Sequence, residues 1–235
     1  AFIDPQRRTS ARKGLYRLED CCPNIFELLE PLKQKANHIL IKTSPMLDIA
    51  LAVEKLKNVQ HVHIVEYQGD CKELLFLIAP DWNENHYTLT ATILDDNGIA
   101  PTIISSKSGE IHPPQESDYA HPQNYLYEPG PALQKSGLWR ALMHTHPDLK
   151  KIAPNTHLFP SIEPIHNFPG RIFKIKALYP PKRKEIPLDR ADITVRNFPE
   201  TAQNLQKKLG LKSCSQNTLF ACTLSDGQKV MIHAQ

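Results

Sequence analysis

The sequence predicts an α/β protein: half of a three-layer α/β sheet, followed by small α+β segments. Three observations predict it. Residues 1–80 alternate short apolar runs with helically spaced ones, spelling β-α-β-α-β-β. Each strand–helix–strand spacing calls for a parallel pair with a right-handed crossover. After residue 80 the regular strand–helix alternation gives way to alternating strands, proline-bearing loops, two further helical segments and a final hairpin.

In order, Phe2-Ile3 reads as the end of a buried strand that Asp4-Pro5 stops. A typical strand has about 5–6 residues, so Ala1-Phe2-Ile3 reads as a strand cut in its middle and the chain as a piece of a longer polypeptide. "CPNIFELLEPLKQKAN" (22–37) carries Ile25, Leu28, Leu29 and Leu32 at helical spacing, with Pro31 as a bend. "HILIK" (38–42) is a buried strand, and "TSPMLDIALAVEKLKN" (43–58) a helix ending near Asn58. "VQHVHIVEYQ" and "CKELLFLIAP" are strands joined tightly enough, through Gly69-Asp70, for an antiparallel hairpin.

The middle, 81–165, holds a strand at 86–98, a loop or edge hairpin at 105–123, a proline-led helix at 131–147 and a short strand at 154–161. The last part, 166–235, reads as compact α+β. It has strands at 170–178 and 191–198, a helix at 200–211 with Gly210 near its end, and a hairpin turned on Asp226-Gly227.

The 235 residues carry 28 Lys/Arg and 25 Asp/Glu, so the net charge of +3 says little about partners. Its distribution says more. Between Arg171 and Lys212 eleven Lys/Arg face four Asp/Glu, which fits either a polyanion partner or a solvated lysine-rich face. Five cysteines, an odd number without a CxxC pair, fit a reducing compartment. No run approaches the roughly 20 apolar residues of a membrane span and no signal-peptide pattern is present. A cytoplasmic protein without a membrane partner is expected.

In an open α/β sheet, ligands sit beyond the carboxyl ends of parallel strands. Two loops meet that condition: Asp4-Pro5-Gln6-Arg7-Arg8 and Lys42-Thr43-Ser44-Pro45. If their strands are neighbours, Asp4, Arg7, Arg8, Lys42 and Ser44 surround one cleft. The structural alternative has Asp4 capping its own turn and Arg7 paired with a carboxylate such as Glu66 or Glu73. His61-x-His63 and His144-x-His146 lack an evident third ligand, so no metal is expected. Cys21-Cys22 reads as burial at a helix entry and Trp139 as core or interface.

Residues 1–80 resemble the C-terminal half of a class I S-adenosylmethionine-dependent methyltransferase, a Rossmann-like sheet. The resemblance rests on the Asp-Pro strand end, "IKTSPMLDI" and a reversed last strand. More narrowly, "FIDPQRR", "IKTSPMLD", "YLYEPGPALQKSGLW", "APNTHLFPS" and "ITVRNFP" together resemble bacterial methyltransferases with a C-terminal THUMP-like domain and a small ferredoxin-like segment before it. The implied division is a half methyltransferase domain (1–80), a ferredoxin-like segment (81–165) and a THUMP-like domain (166–235).

The resemblance also implies roles. In related amine methyltransferases a strand-end Asp/Asn-Pro-Pro-aromatic loop holds the substrate. Asp4 and Pro5 match its first two positions as catalytic residues, while Gln6 and Arg7 depart from the Pro and the aromatic. Arg7, Arg8, Lys42 and Ser44 would bind the substrate. THUMP domains are associated with RNA, so Arg171, Lys174, Lys176, Lys182, Arg183, Lys184 and Arg196 would meet phosphates. Lys174 and Lys176 would share a strand face. The glycine-rich turn that S-adenosylmethionine needs is missing from the nine glycines here. The cofactor would then bind mainly to a preceding segment, and this chain alone would be inactive. The rival expectation is a non-catalytic RNA-binding or scaffolding module.

Overall fold

The computed structural model describes residues 1–7, 17–94, 101–110 and 115–235. The chain forms two compact units, residues 1–112 with 130–142 and residues 113–129 with 143–235. It is a mixed α/β structure with two six-stranded sheets.

In the first unit the strands are β1 (Phe2–Ile3), β2 (Gln6–Arg7), β3 (Cys21–Cys22), β4 (Ile39–Thr43), β5 (Val59–Tyr67), β6 (Asp70–Ile78), β7 (Thr88–Leu94) and β8 (Thr102–Lys107). The sheet order is β1-β4-β6-β5-β7-β8. β1 lies parallel to β4, with Phe2 opposite Leu40 and Ile3 opposite Ile41. β6 runs antiparallel to both β4 and β5 and separates them. The strands expected as a plain parallel series are thus co-directional, with the reversed strand inserted between them. The hairpin that returns β6 turns on Gln68 and Gly69, both at positive φ.

The sheet continues past the division expected at residue 80. β7 pairs parallel with β5, and β8 antiparallel with β7. The 105–123 stretch therefore begins in an edge strand, and the 95–98 part of the expected 86–98 strand lies outside the described residues. Alternation fixes the core face: Val62, Ile64, Leu74, Phe76 and Ile78 are fully buried, while His61, His63, Leu75 and Leu77 between them are half-buried.

Helix α1 (Ile25–Lys33) starts where the Asn24 side chain accepts from the Phe26 N–H at 3.1 Å. α2 (Ile49–Leu56) starts where Asp48 accepts from the Leu51 N–H at 2.9 Å. Both are shorter than their apolar spacing implied: the caps begin them late, and they end early, α1 at Lys33 and α2 at Leu56. The single helix expected at 131–147 is two, α3 (Pro131–Ser136) and α4 (Trp139–Thr145). Gly137, at φ +69°, breaks it with a left-handed residue.

In the second unit β9 (Tyr125–Pro129), β10 (Phe159–Ser161), β11 (Gly170–Tyr179), β12 (Asp192–Arg196), β13 (Thr218–Thr223) and β14 (Lys229–Ala234) form a sheet ordered β10-β9-β11-β14-β13-β12. α5 (Ala202–Leu209) is capped by Thr201 and ends at Gly210. Alternate residues of β13 and β14 serve two cores. Phe220, Cys222 and Ile232 pack with Leu126, Ile152 and Leu158. Leu219, Ala221 and Met231 pack with Leu205 and Leu209 of α5. The strand expected at 154–161 shortens to β10, and 154–158 folds as a loop in which the Ile152 N–H donates to the Leu158 carbonyl.

Candidate functional site

The parallel pairing of β1 and β4 brings their carboxyl ends side by side. Asp4 follows β1 directly and Lys42 lies beside it in β4, where Lys42 Nζ reaches Asp4 Oδ2 at 2.7 Å. Across β4, Glu73 of β6 lies 3.8 Å from the same ammonium. Lys42 therefore bridges two carboxylates at the sheet rim. Its hydrogen bond to Asp4 and the field of both acids raise its pKa, so it stays cationic at neutral pH. Both side chains of the Asp4–Lys42 pair are partly open to solvent.

The other rim residues are positioned by their loops. Pro5 is buried and ends β1. Ser44 Oγ accepts from the Met46 N–H at 3.3 Å, which folds the turn after β4 and leaves the hydroxyl hydrogen to donate elsewhere. Gln6 and Arg7 pair through their backbone with Cys22 and Cys21. Cys21 is buried and Cys22 exposed. Arg8 lies outside the described residues. Of the two acids offered as alternative partners for Arg7, Glu73 lies by Lys42 and Glu66 accepts from the Ala132 N–H at 2.9 Å; the Arg7 side chain lies outside the described part of the structure. Burial raises the pKa of Glu66, against the lowering effect of that hydrogen bond.

The seven cations assigned to phosphate binding divide by their partners. Arg171 and Arg196 both clamp the Glu128 carboxylate, which is 2% exposed. Glu128 sits directly opposite Arg171 in the β9–β11 ladder. Arg183 donates to the carbonyls of Ile186 at 2.7 Å and Leu188 at 2.9 Å, and to Asp189, and so holds its own loop. Lys174, Lys176, Lys182 and Lys184 are exposed and form no ion pair among the described residues. The pairing of β11 with β14 shifts register between Ile175 and Ala177. Lys176 is thus the extra residue of a bulge, yet exposure still alternates through it, with Lys174 and Lys176 exposed between half-buried Phe173, Ile175 and Ala177.

The Glu128 clamp was not visible in the sequence, because 43 residues separate Glu128 from Arg171 and 68 from Arg196. Near it, burial lowers the pKa of His157, and the charges of Lys151 and Arg196 lower it further. His61 and His63 stack at 5.9 Å between ring centroids, and burial lowers the His63 pKa. Among the described residues no three His, Cys, Asp or Glu side chains gather as metal ligands. No helix among them is long and apolar enough to cross a membrane.

Residues 125–169 match the model of a ferredoxin-like domain, and residues 170–235 that of a THUMP domain-like family. No curated protein matches the chain. Among solved structures the chain is similar to a "putative methyltransferase" from Porphyromonas gingivalis W83, with 30% sequence identity and a TM-score of 0.79. The likeness covers 100% of this chain and 58% of that one, so the chain spans little more than half of its neighbour's length.

Proposed function

We propose that this chain is the substrate-side part of a cytoplasmic S-adenosylmethionine-dependent methyltransferase that acts on RNA. The observation that carries the reading is the rim. Asp4-Pro5 and Lys42–Pro45 crown adjacent parallel strands and meet through the 2.7 Å Lys42–Asp4 contact. That is where an open α/β sheet places its ligand. The likeness to a protein named as a methyltransferase over the whole chain supports the chemistry, and the THUMP-like domain supports an RNA substrate.

The nine glycines include no GxGxG-like cluster of the kind a cofactor-binding turn uses. Among the described residues Gly130 stands at a strand-to-helix turn, and a Cβ there would lie 2.5 Å from the Glu66 carboxylate. The Glu66 side chain fills the space beside that glycine. The reading therefore assigns the cofactor, which supplies the methyl group, to polypeptide beyond these 235 residues, and the isolated chain is inactive. What this chain contributes is position. One Asp4 oxygen is held by Lys42, and the other can accept a hydrogen bond from the acceptor's amino group. That aligns the nucleophile for direct in-line transfer.

A second reading is favoured by one observation: the Asp4 carboxylate is already paired, in a loop that carries Gln6 and Arg7 where related enzymes carry Pro and an aromatic. Such a loop suits a non-catalytic RNA-binding or scaffolding module. Calorimetry of the full-length polypeptide with S-adenosylmethionine separates the two, because an enzyme binds it. In a labelled-methyl assay Asp4→Ala then removes transfer while RNA affinity stays. Absent cofactor binding, or unchanged transfer by Asp4→Ala, rejects the catalytic reading.

A further inference from the structure

A cavity of about 230 Å³ opens in the first unit between the 17–19 loop, the 46–48 loop, α2 and Lys135 of α3. Two of its walls continue the loops of the rim. Met46-Leu47-Asp48 follow Lys42–Pro45 directly. Residues 17–19 lead into β3, which pairs with β2 just after Asp4-Pro5.

The floor is apolar: Leu18, Leu47 and Ala52 are each no more than 3% exposed. At the mouth two apolar side chains remain in water, Met46 at 68% and Leu51 at 40% exposure. A flat apolar ring would cover them favourably. The mouth carries three cations, Arg17, Lys55 and Lys135, against two acids, Glu19 and Asp48, a surplus of one positive charge. Lys55 pairs with Glu19, and Asp48 keeps its charge while it caps α2. Arg17 and Lys135 remain, with no ion pair among the described residues. A thioether and a guanidinium both settle on aromatic faces.

Size narrows the occupant. Pockets that bury a drug-sized ligand hold roughly 300–1,000 Å³, so this one admits a single ring system and excludes S-adenosylmethionine. The geometry points to a nucleotide site: one nucleobase on the Leu18/Leu47/Ala52 floor, covered by Met46, with its phosphate met by Arg17 and Lys135. The inference rests on the RNA reading above and names where one base of the substrate is held.

The test uses the 235-residue chain, with adenosine 5′-monophosphate, adenosine, inorganic phosphate and single-stranded hexa-adenylate as probes in calorimetry and ligand-observed NMR. The monophosphate binds. Lys135→Glu weakens it by about tenfold, as expected for loss of a charge-assisted contact, and leaves adenosine unchanged. Met46→Glu, at an exposed site that folding tolerates, weakens both. Ala52→Met fills the floor and removes both, with thermal melting checking that it folds. Should it not fold, Met46→Glu decides.

Hexa-adenylate binding more tightly than the monophosphate, and weakened by the same variants, assigns the site to an RNA chain. The reverse order assigns it to a free nucleotide. Either outcome upholds the site. No binding of the monophosphate, phosphate alone competing equally well, or indifference to both Lys135→Glu and Met46→Glu overturns it. Methyl transfer by the full-length polypeptide without nucleotide binding here rejects the pocket alone. Nucleotide binding here without methyl transfer rejects the catalytic reading alone.

Discussion

Replacing Glu128 by Gln should destabilise the second unit, and the loss should fall unequally on its two arginines. The substitution keeps shape and removes charge from a side chain that is 2% exposed. It leaves two guanidiniums facing an amide. Breaking a fully buried pair costs about 3–5 kcal/mol, whereas exposed pairs contribute about 0–1 kcal/mol. Arg196, 30% exposed, lies toward the first limit, and Arg171, 64% exposed, toward the second. We therefore expect a loss of about 2–3 kcal/mol, which for a chain of this size lowers Tm by roughly 4–12 °C. Double-mutant cycles in urea, pairing Glu128→Gln with Arg196→Met and with Arg171→Met, apportion it. Coupling to Arg196 should be about 1–2 kcal/mol and to Arg171 below about 1 kcal/mol. A Tm change under about 1 °C, or the larger coupling at Arg171, would refute the clamp as a structural device.

Gly170→Ala should cost more than about 2 kcal/mol, because a Cβ there would lie 2.2 Å from the Glu128 carbonyl oxygen and 2.8 Å from Pro129 Cα. A melting curve within experimental error of the parent's would contradict that contact. Stability should fall as pH drops below 6.5, the ordinary value for His. Burial holds His63, His146, His157 and His233 below it, so the unfolded chain takes up protons first. Glu66, held above 4.5 by burial, gains stability on acidification and opposes this as one group against four. Urea midpoints that stay level between pH 7.5 and pH 5.5 would rule out the histidine contribution. RNA binding should weaken with salt by about 0.7 in log K per log salt for each phosphate contact on a single strand. Substituting Lys174, Lys176, Lys182 and Lys184 together should shallow that slope more than Arg171→Ala does. A flat response from about 50 to 200 mM salt removes phosphate binding altogether.

Much of the local structure was legible because it is written in neighbouring residues. Alternation in 59–68 placed β5, the apolar run in 71–80 placed β6, Asp226-Gly227 turned the last hairpin, and Gly210 ended α5. The helix expected through 131–147 failed at Gly137 for a reason also local, a left-handed φ that apolar spacing overlooks.

The rim was legible in outline. Proline after a short apolar run marks a strand end, and a helix-length crossover makes the next strand parallel. The sequence by itself thus set Asp4 and Lys42 at strand ends. Only the tertiary structure put them 2.7 Å apart, inserted β6 between β4 and β5, and carried the first sheet through β8. Only it closed Arg171 and Arg196 on Glu128. The physical reason is range. Propensity and turn chemistry act over a few residues. Strand order and the partner of a buried charge depend on burial and hydrogen bonding between segments tens of residues apart, which no local pattern encodes.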